Sequence, residues 1–250
     1  MRKSLSRILT LAKRNMKEIL RDPLSLVFMM AMPLVMQVLF YFIFHGLTDQ
    51  FDMKYLAPGI VVFAEAFLSL FAGLLISLDR STSFLSRLCV SPARPYEFIF
   101  GYTLALLPLS LVQSVVFFAV GAIIDPTILG VGMIYGILLS LVTSLLFIGF
   151  GILFGSVCTE KSIGGVASIV IAGQSVLSGM WFPTTGMSEV VLGVMKALPF
   201  KNATDIIKNV TLGVSSVGEE VILPLLIVLL YTALIFSLAI LAFRAKMKNR

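Results

Sequence analysis

One acidic residue lies near the middle of a long apolar segment of the sequence. Glu65 is the eleventh of the 24 residues from Tyr55 to Leu78. An acidic side chain at the centre of a membrane helix costs about 2.5–3.5 kcal/mol even on mild insertion scales, so it is a functional hypothesis by default. Glu65 is therefore a candidate for handling a proton or a cargo. The alternative is a protonated side chain that a neighbouring helix satisfies.

Three polar residues of other apolar segments fall at positions where they could share a path with Glu65. Gln113 and Gln174 lie at a similar depth, and Ser178 follows Gln174 by one helical turn. Amides and hydroxyls inside a membrane also serve as interhelical hydrogen-bond donors, worth about 0.6–2 kcal/mol each. The sequence predicts a translocation path lined by Glu65, Gln113, Gln174 and Ser178, and leaves the purely structural interpretation open.

Motifs for catalysis are missing from the sequence. It contains neither the G-x-x-x-x-G-K-[ST] loop that cradles nucleotide phosphates nor the G-x-S-x-G elbow of serine hydrolases. With His45 as its single histidine, the chain cannot form a zinc site of the H-E-x-x-H type. We therefore expect no enzyme activity, no metal site and no cofactor in this chain.

The composition says which elements must position these residues. Of the 250 residues, 58% are hydrophobic and 13% are charged, against a charged share of about 25% in soluble domains. This excludes a cytosolic enzyme, a secreted disulfide scaffold and a disordered chain. Since a spanning helix needs about 20 apolar residues, we predict one all-α membrane domain with six spans: Leu24–Leu47, Tyr55–Leu78, Phe98–Ile124, Gly130–Val157, Gly164–Trp181 and Val221–Phe243.

The distribution of lysine and arginine predicts the orientation of these spans. Fifteen of the 19 basic residues fall in the N-terminal segment, the tail and the loops on one side, and four lysines fall on the other. Because cytoplasmic loops carry the excess of basic residues, we place both termini in the cytoplasm. The net charge of +6 then reflects this rule rather than nucleic-acid binding. We expect a multi-pass protein of the cell membrane, and the compact loops favour a bacterial one.

Three segments outside the spans have patterns of their own. Residues 1–23 form an amphipathic basic helix that Pro23 ends, and Glu18, Arg21 and Asp22 crowd its end. This helix is either a lipid anchor or a docking surface for a cytoplasmic partner. The outer segment 182–220 has two short apolar stripes, which predict short helices that dip back into the outer leaflet. Residues 244–250 form a cytoplasmic tail.

Small residues recur at helical spacing in the fourth span. They are Gly132, Gly136, Ser140 and Ser144, followed by Gly151 and Gly155. Because small residues let helices approach closely in lipid, this face is predicted to pack against other helices.

Several short motifs occur in a recognisable order. Arg-Asp-Pro at 21–23 leads into the first span, Tyr-Leu-Ala-Pro-Gly at 55–59 opens the second, Arg-Leu-Cys-Val-Ser-Pro lies at 87–92, and Ser-Gly-Met-Trp-Phe-Pro at 178–183 closes the fifth. Together with the six-span topology, this order resembles the type-2 permease subunits of ATP-binding-cassette (ABC) transporters over essentially the whole chain. One departure is the start of the first cytoplasmic loop, where many relatives have Glu-x-x-x-Gly-Thr and this chain has Asp79-Arg80-Ser81-Thr82-Ser83-Phe84.

The resemblance implies partners and roles. Two permease chains, identical or similar, would form the pathway, and two separate ATPase chains carrying ATP and Mg would dock beneath them. The N-terminal helix and the loop Asp79–Arg94 would be the docking elements. This implies that coupling residues are Lys17, Glu18, Arg21, Asp22, Asp79, Arg80, Arg87 and Ser91. Trp181, Phe182 and Pro183 would belong to an outer lid.

The resulting hypothesis is the membrane subunit of an exporter for an amphipathic or hydrophobic cargo such as a drug, antibiotic, peptide or lipid-like molecule. The alternative from another class is a proton-coupled secondary carrier that uses Glu65. Carriers often contain paired halves, and no convincing repeat relates spans one to three to spans four to six. An intramembrane enzyme is disfavoured by the missing catalytic pairs.

Overall fold

The computed structural model describes residues 2–82, 94–182, 184, 186–213 and 217–248. These parts of the chain are helical and contain no strand. The helices are α1 (Arg2–Leu20), α2 (Pro23–Phe44), α3 (Met53–Ser81), α4 (Pro95–Ile124), α5 (Val131–Val157), α6 (Glu160–Leu177), α7 (Glu189–Ala197), α8 (Pro199–Leu212) and α9 (Leu223–Lys248). Short 3₁₀ turns lie at Asp49–Phe51 and Pro126–Ile128, and a π-helical turn, Gly218–Ile222, precedes α9.

Five helical segments are long and apolar enough to cross a membrane: Pro23–Phe44, Met53–Ser81, Pro95–Ile124, Val131–Val157 and Gly218–Ala245. The all-helical class is thus confirmed, and the count of six spans stays a prediction. The fifth predicted span corresponds to α6, which has 18 residues and begins with Glu160 and Lys161. It ends at Leu177 rather than Trp181, because the chain turns at Gly179, whose φ is +70°.

The helix boundaries follow from local capping. Asp22 accepts a hydrogen bond from the backbone N–H of Ser25 (3.2 Å) at the start of α2, and Pro23 occupies the first helical position, where its missing N–H costs nothing. Glu97 accepts a hydrogen bond from the backbone N–H of Arg94 (3.0 Å) at the start of α4. Gly213 ends α8 with φ +73°, the left-handed geometry that glycine adopts without strain. The predicted stop at Pro23 is confirmed.

The core of the molecule is organised around α3, which packs against α2, α4, α5, α6 and α8. It is buried along most of its length, whereas α2 and α9 keep broad apolar faces exposed. Since lipid solvates apolar side chains, such faces are expected on the outside of a membrane bundle.

The small residues of α5 allow close helix crossings, as predicted. A Cβ atom added at Gly151 would lie 2.3 Å from the carbonyl oxygen of Ser69, and one at Gly155 would lie 2.8 Å from that of Gly73. The backbones of α3 and α5 are therefore almost in contact. A Cβ added at Gly132 would meet the carbonyl oxygen of Thr211 at 2.5 Å, so the other end of α5 is equally close to α8.

Serine pairs join α4 to α5 along a second line. The hydroxyl of Ser110 donates to that of Ser144 (3.1 Å), and the hydroxyls of Ser114 and Ser140 lie 2.7 Å apart. Such side-chain hydrogen bonds satisfy polar groups that would otherwise be stranded in lipid.

The described part of the segment 182–220 contains two short helices, α7 and α8, as predicted, and their entry into the outer leaflet stays a prediction. The Asn202 side chain is buried, and its amide donates to the carbonyl oxygens of Lys196 (2.8 Å) and Leu198 (2.6 Å). It thereby caps the end of α7 and fixes the turn into α8. The apolar stripe of α8 is buried at Ile206 and Ile207, whereas that of α7 is largely exposed.

Candidate functional site

The end of the bundle that carries the N-terminal helix is held by a partly buried ion pair. Asp79, near the end of α3, is buried and accepts hydrogen bonds from both terminal nitrogens of Arg14, with an Nη2–Oδ1 distance of 2.7 Å. The hydroxyl of Tyr102 donates to the same carboxylate (2.6 Å). One carboxylate thus joins α1, α3 and α4. A bidentate arginine–carboxylate contact fixes geometry as well as supplying energy.

A second ion pair attaches α1 to the start of α4. Arg7 approaches the buried carboxylate of Glu97 at 3.3 Å, and the hydroxyls of Ser4 and Tyr96 lie 3.2 Å apart. The helices also approach closely, since a Cβ added at Gly101 would lie 2.8 Å from that of Leu11. The helix α1 is therefore packed against the bundle. Leu5 and Leu9 nevertheless remain exposed, as expected for a helix that contacts lipid.

Arg80 connects α3 to α5. Its guanidinium donates to the carbonyl oxygens of Gly155 (2.6 Å) and Cys158 (2.9 Å). The last carbonyls of a helix have no partner within the helix, and a cation there also interacts favourably with the helix dipole. Among the predicted coupling residues, Asp79 and Arg80 therefore connect helices within the protein through hydrogen bonds.

Three other predicted coupling residues line a cleft. A cavity of about 330 Å³ opens between the end of α1, the start of α2, the end of α3 and the start of α6, and Glu18, Arg21 and Asp22 lie on its wall together with Glu160. Hydrogen bonds from Ser25 hold the pKa of the Asp22 carboxyl below its usual range, so Asp22 stays ionised. Lys17 is exposed on α1 and lies outside this wall. The cleft offers both signs of charge to a partner. Arg87 and Ser91 lie outside the described residues.

The predicted path residues are found in the interior of the helix bundle. Glu65 is buried and accepts a hydrogen bond from the hydroxyl of Thr143 on α5 (2.9 Å). Its second oxygen has no hydrogen-bond partner among the described residues. The amide of Gln113 donates to the carbonyl oxygen of Ala64 (3.2 Å), so Glu65 and Gln113 meet where α3, α4 and α5 pack together.

Gln174 and Ser178 make their hydrogen bonds elsewhere in the bundle. The amide of Gln174 donates to the hydroxyl of Thr204 on α8 (2.9 Å), and the hydroxyl of Ser178 accepts from the backbone N–H of Met180 (3.1 Å). All four predicted path residues are at most 1% exposed, so in this conformation they do not face an open channel. Their role in a path stays a prediction.

Sequence reasoning missed a third buried glutamine, Gln37 on α2. It donates to the carbonyl oxygen of Phe117 (3.0 Å). The side-chain oxygens of Gln37, Gln113 and Gln174 are buried and without a partner among the described residues. An unsatisfied buried acceptor costs about 1–3 kcal/mol. A conformation that gave these side-chain oxygens a hydrogen-bond donor would remove this cost.

The segment after α6 is fixed at the opposite end of the bundle. The indole of Trp181 packs edge-on against Phe40 and Phe63, with ring centroids 4.6 and 5.6 Å apart, and its Nε1–H donates to the Ser175 hydroxyl (2.9 Å). Gln50 donates to the carbonyl oxygens of Gly179 (2.6 Å) and Met180 (2.7 Å). The predicted lid residue Trp181 is thus locked between α2 and α3, whereas Phe182 is exposed and Pro183 lies outside the described residues.

Two comparisons with known proteins bear on this arrangement. The family model described as "ABC-2 type transporter" matches residues 6–212, from the first turns of α1 to the end of α8. A search of curated proteins found no match. The matched region contains the ion pairs of α1, the cleft lined by Glu18, Arg21 and Asp22, the buried polar residues and the segment of Trp181. Because the family model matches most of its length, this chain belongs to the ABC-2 type transporter family.

Proposed function

We propose that this permease is the membrane-spanning subunit of an ABC exporter, driven by ATP hydrolysis on separate ATPase subunits. The observation that carries the proposal is the attachment of α1 by Arg14, Asp79 and Tyr102 to the ends of α3 and α4. A partner that pushes on α1 would move the inner ends of two spans together. The chain itself has no nucleotide-binding loop, so the energy must come from a partner.

The charged cleft favours a protein partner at this end of the bundle. Glu18, Arg21, Asp22 and Glu160 line it, and a lipid surface would select cations alone. Arg87 and Ser91, in the predicted first cytoplasmic loop, would be further coupling residues. Both termini would then be cytoplasmic, and α6 would complete six spans.

The proposed cargo is amphipathic or hydrophobic and moves outward. The buried polar residues of the described spans are mostly hydroxyls and amides, and buried charged residues are few among them. A highly charged cargo would need more charged partners than this interior offers. The exposed apolar faces of α2 and α9 leave room for a second permease chain, identical or similar, and for lipid.

The test is purification of the tagged full-length chain from its native membrane in a mild detergent. We expect a stoichiometric ATPase to co-purify and to hydrolyse ATP with Mg. The variant Glu18→Gln/Arg87→Gln should lose most of the partner, because both substitutions remove charge from the proposed docking surface. Lys13→Gln, an exposed position on the same helix, is the matched control and should retain it. A chain that purifies alone and transports in vesicles without ATP would contradict the proposal.

Substitution of Glu65 separates the exporter from the proton-coupled carrier. Glu65→Gln keeps an oxygen that can accept the Thr143 hydrogen bond, so we expect ATP-driven transport and thermal stability close to the wild type. Thr143→Val removes that donor and should cost about 1–3 kcal/mol of unfolding free energy. Thermal unfolding in detergent and transport in vesicles measure the two effects. If Glu65→Gln left the fold intact but abolished all coupling, Glu65 would be a proton site.

A further inference from the structure

The four lysines of the end opposite the termini are concentrated in one region. Lys196, Lys201 and Lys208 all lie close enough to Asp205 to lower the pKa of its carboxyl, although burial outweighs them and raises it overall. Lys54, in the first turn of α3, lies near the same region, because its ammonium group and that of Lys208 both contact the ring of Tyr55. In the proposed orientation, all four lie on the side where basic residues are least expected.

The carboxylate of Asp205 is already engaged. It lies 2.7 Å from the ammonium group of Lys201, one helical turn away on α8. Nearby, Asp52 is directed to His45 at 3.2 Å. In the described part of the chain, Lys201 is the lysine with an ion-paired carboxylate at this end, which leaves the charges of Lys54 and Lys208 without such a partner.

Lys54 and Lys208 converge on a single aromatic ring. Their ammonium groups lie 5.0 and 4.8 Å from the ring centroid of Tyr55, one from α3 and the other from α8. Each distance allows a cation–π contact, but two like charges beside one ring also repel each other. A negative charge close to both ammonium groups would remove that repulsion.

Lys208 is the less hydrated of the two. Burial lowers the pKa of the Lys208 ammonium group, an effect that Asp205 only partly offsets. Lys54 is exposed and lies in the first turn of α3, where the positive end of the helix dipole disfavours a cation and favours an anion. Both positions would therefore gain from an additional anionic group close to them.

We propose that Lys54, Lys208 and Tyr55 form a binding site for a phosphate group at the end of the bundle opposite the termini. The site joins the outer end of α3 to α8, so an occupied site would hold these elements together. The inference goes beyond the proposed function and depends on it only for the side of the membrane. The phosphate could belong to a lipid headgroup of that leaflet or to a soluble molecule, and the experiment distinguishes the two.

The experiment measures thermal unfolding of the full permease with its co-purifying subunits in nanodiscs. One arm compares phosphatidylcholine discs with discs that also contain phosphatidylglycerol. The other arm adds inorganic phosphate to phosphatidylcholine discs, with chloride added to a reference sample at equal ionic strength. Because a ligand that binds only the folded state stabilises it, we expect the unfolding midpoint to rise by a few degrees in at least one arm.

Variants test whether the rise of the unfolding midpoint comes from Lys54 and Lys208. Lys54→Gln/Lys208→Gln should abolish it, and Lys54→Arg/Lys208→Arg should keep it, since a phosphate binds either cation. Lys196→Gln, which removes an equal charge from an exposed position of α7, should keep it as well. A rise with phosphatidylglycerol alone identifies a lipid headgroup, and a rise with inorganic phosphate alone identifies a soluble anion.

Two results would overturn the site. One is the absence of any rise in both arms for the wild-type protein, a result that does not depend on whether a variant folds. The other is a rise that persists undiminished in the double glutamine variant. Neither result touches the ATPase partnership, whose failure would appear in the purification experiment instead.

Discussion

Replacing Gly151 by alanine is expected to prevent the permease from accumulating in the membrane. The added Cβ would lie 2.3 Å from the carbonyl oxygen of Ser69 and 2.6 Å from the Cβ of Ala72. Overpacking by a methyl group costs about 1–3 kcal/mol where side chains can move. Here the obstacle is the backbone of α3, so the two helices must separate and the cost should exceed that range. Membrane content and the thermal unfolding of any extracted protein measure the effect.

Gly164→Ala is the matched control for this experiment. A Cβ added at Gly164 on α6 would meet nothing within 4 Å, and alanine is a better helix former than glycine. This variant should therefore accumulate at least as well as the wild type. If Gly151→Ala had the same stability as Gly164→Ala, the close crossing of α3 and α5 would be wrong.

Removal of Arg14 is expected to have the second largest effect. Arg14→Gln leaves the carboxylate of Asp79 buried, where the hydroxyl of Tyr102 on α4 still donates to it. Breaking a buried ion pair by deleting one partner typically costs about 3–5 kcal/mol, because a buried charge is left uncompensated. Since Arg14 itself is partly exposed, we expect about 3 kcal/mol, measured by thermal unfolding. If the proposed ATPase partnership holds, stimulation of that ATPase by cargo should also fall, because α1 loses its attachment to α3.

A double substitution makes this prediction sharper. Arg14→Gln/Asp79→Asn removes both charges, so it should be more stable than Arg14→Gln alone even though it carries one more change. Lys13→Gln is again the control, because Lys13 is exposed on the same helix. Equal stability of Arg14→Gln and Lys13→Gln would show that the pair does not hold α1 in place.

The spans and their packing surfaces were predictable because they depend on local patterns. Runs of apolar residues located α2 to α5 and α9, Pro23 marked the end of α1, and the spacing of Gly151 and Gly155 indicated a close crossing. Each of these signals lies within a few turns of one helix. The physical causes, apolar transfer and the small size of glycine, act on the segment itself.

The ion pairs and hydrogen bonds between helices could not be predicted in the same way. Arg14 and Asp79 are 65 residues apart, and nothing in either segment indicates its partner. The basic residues of α1 all appeared to belong to a solvated or headgroup-contacting face, yet Arg7 and Arg14 turn toward buried carboxylates. Their separation of seven residues, about two helical turns, was the one available signal. The end of α6 was misplaced because the turn at Gly179 is set by tertiary contacts of Gln50 with the carbonyls that follow it.

The buried cap formed by Asn202 has a consequence for how the protein can be produced. Asn202-Ala203-Thr204 has the form of an acceptor sequence for N-linked glycans. In the folded chain, however, the Asn202 amide is occupied by two carbonyl oxygens, and the Thr204 hydroxyl accepts from Gln174. A sugar could be added only before α8 packs, and a chain so modified could not close the turn between α7 and α8. Hosts whose membranes lack this modification are therefore the suitable ones for obtaining the native permease.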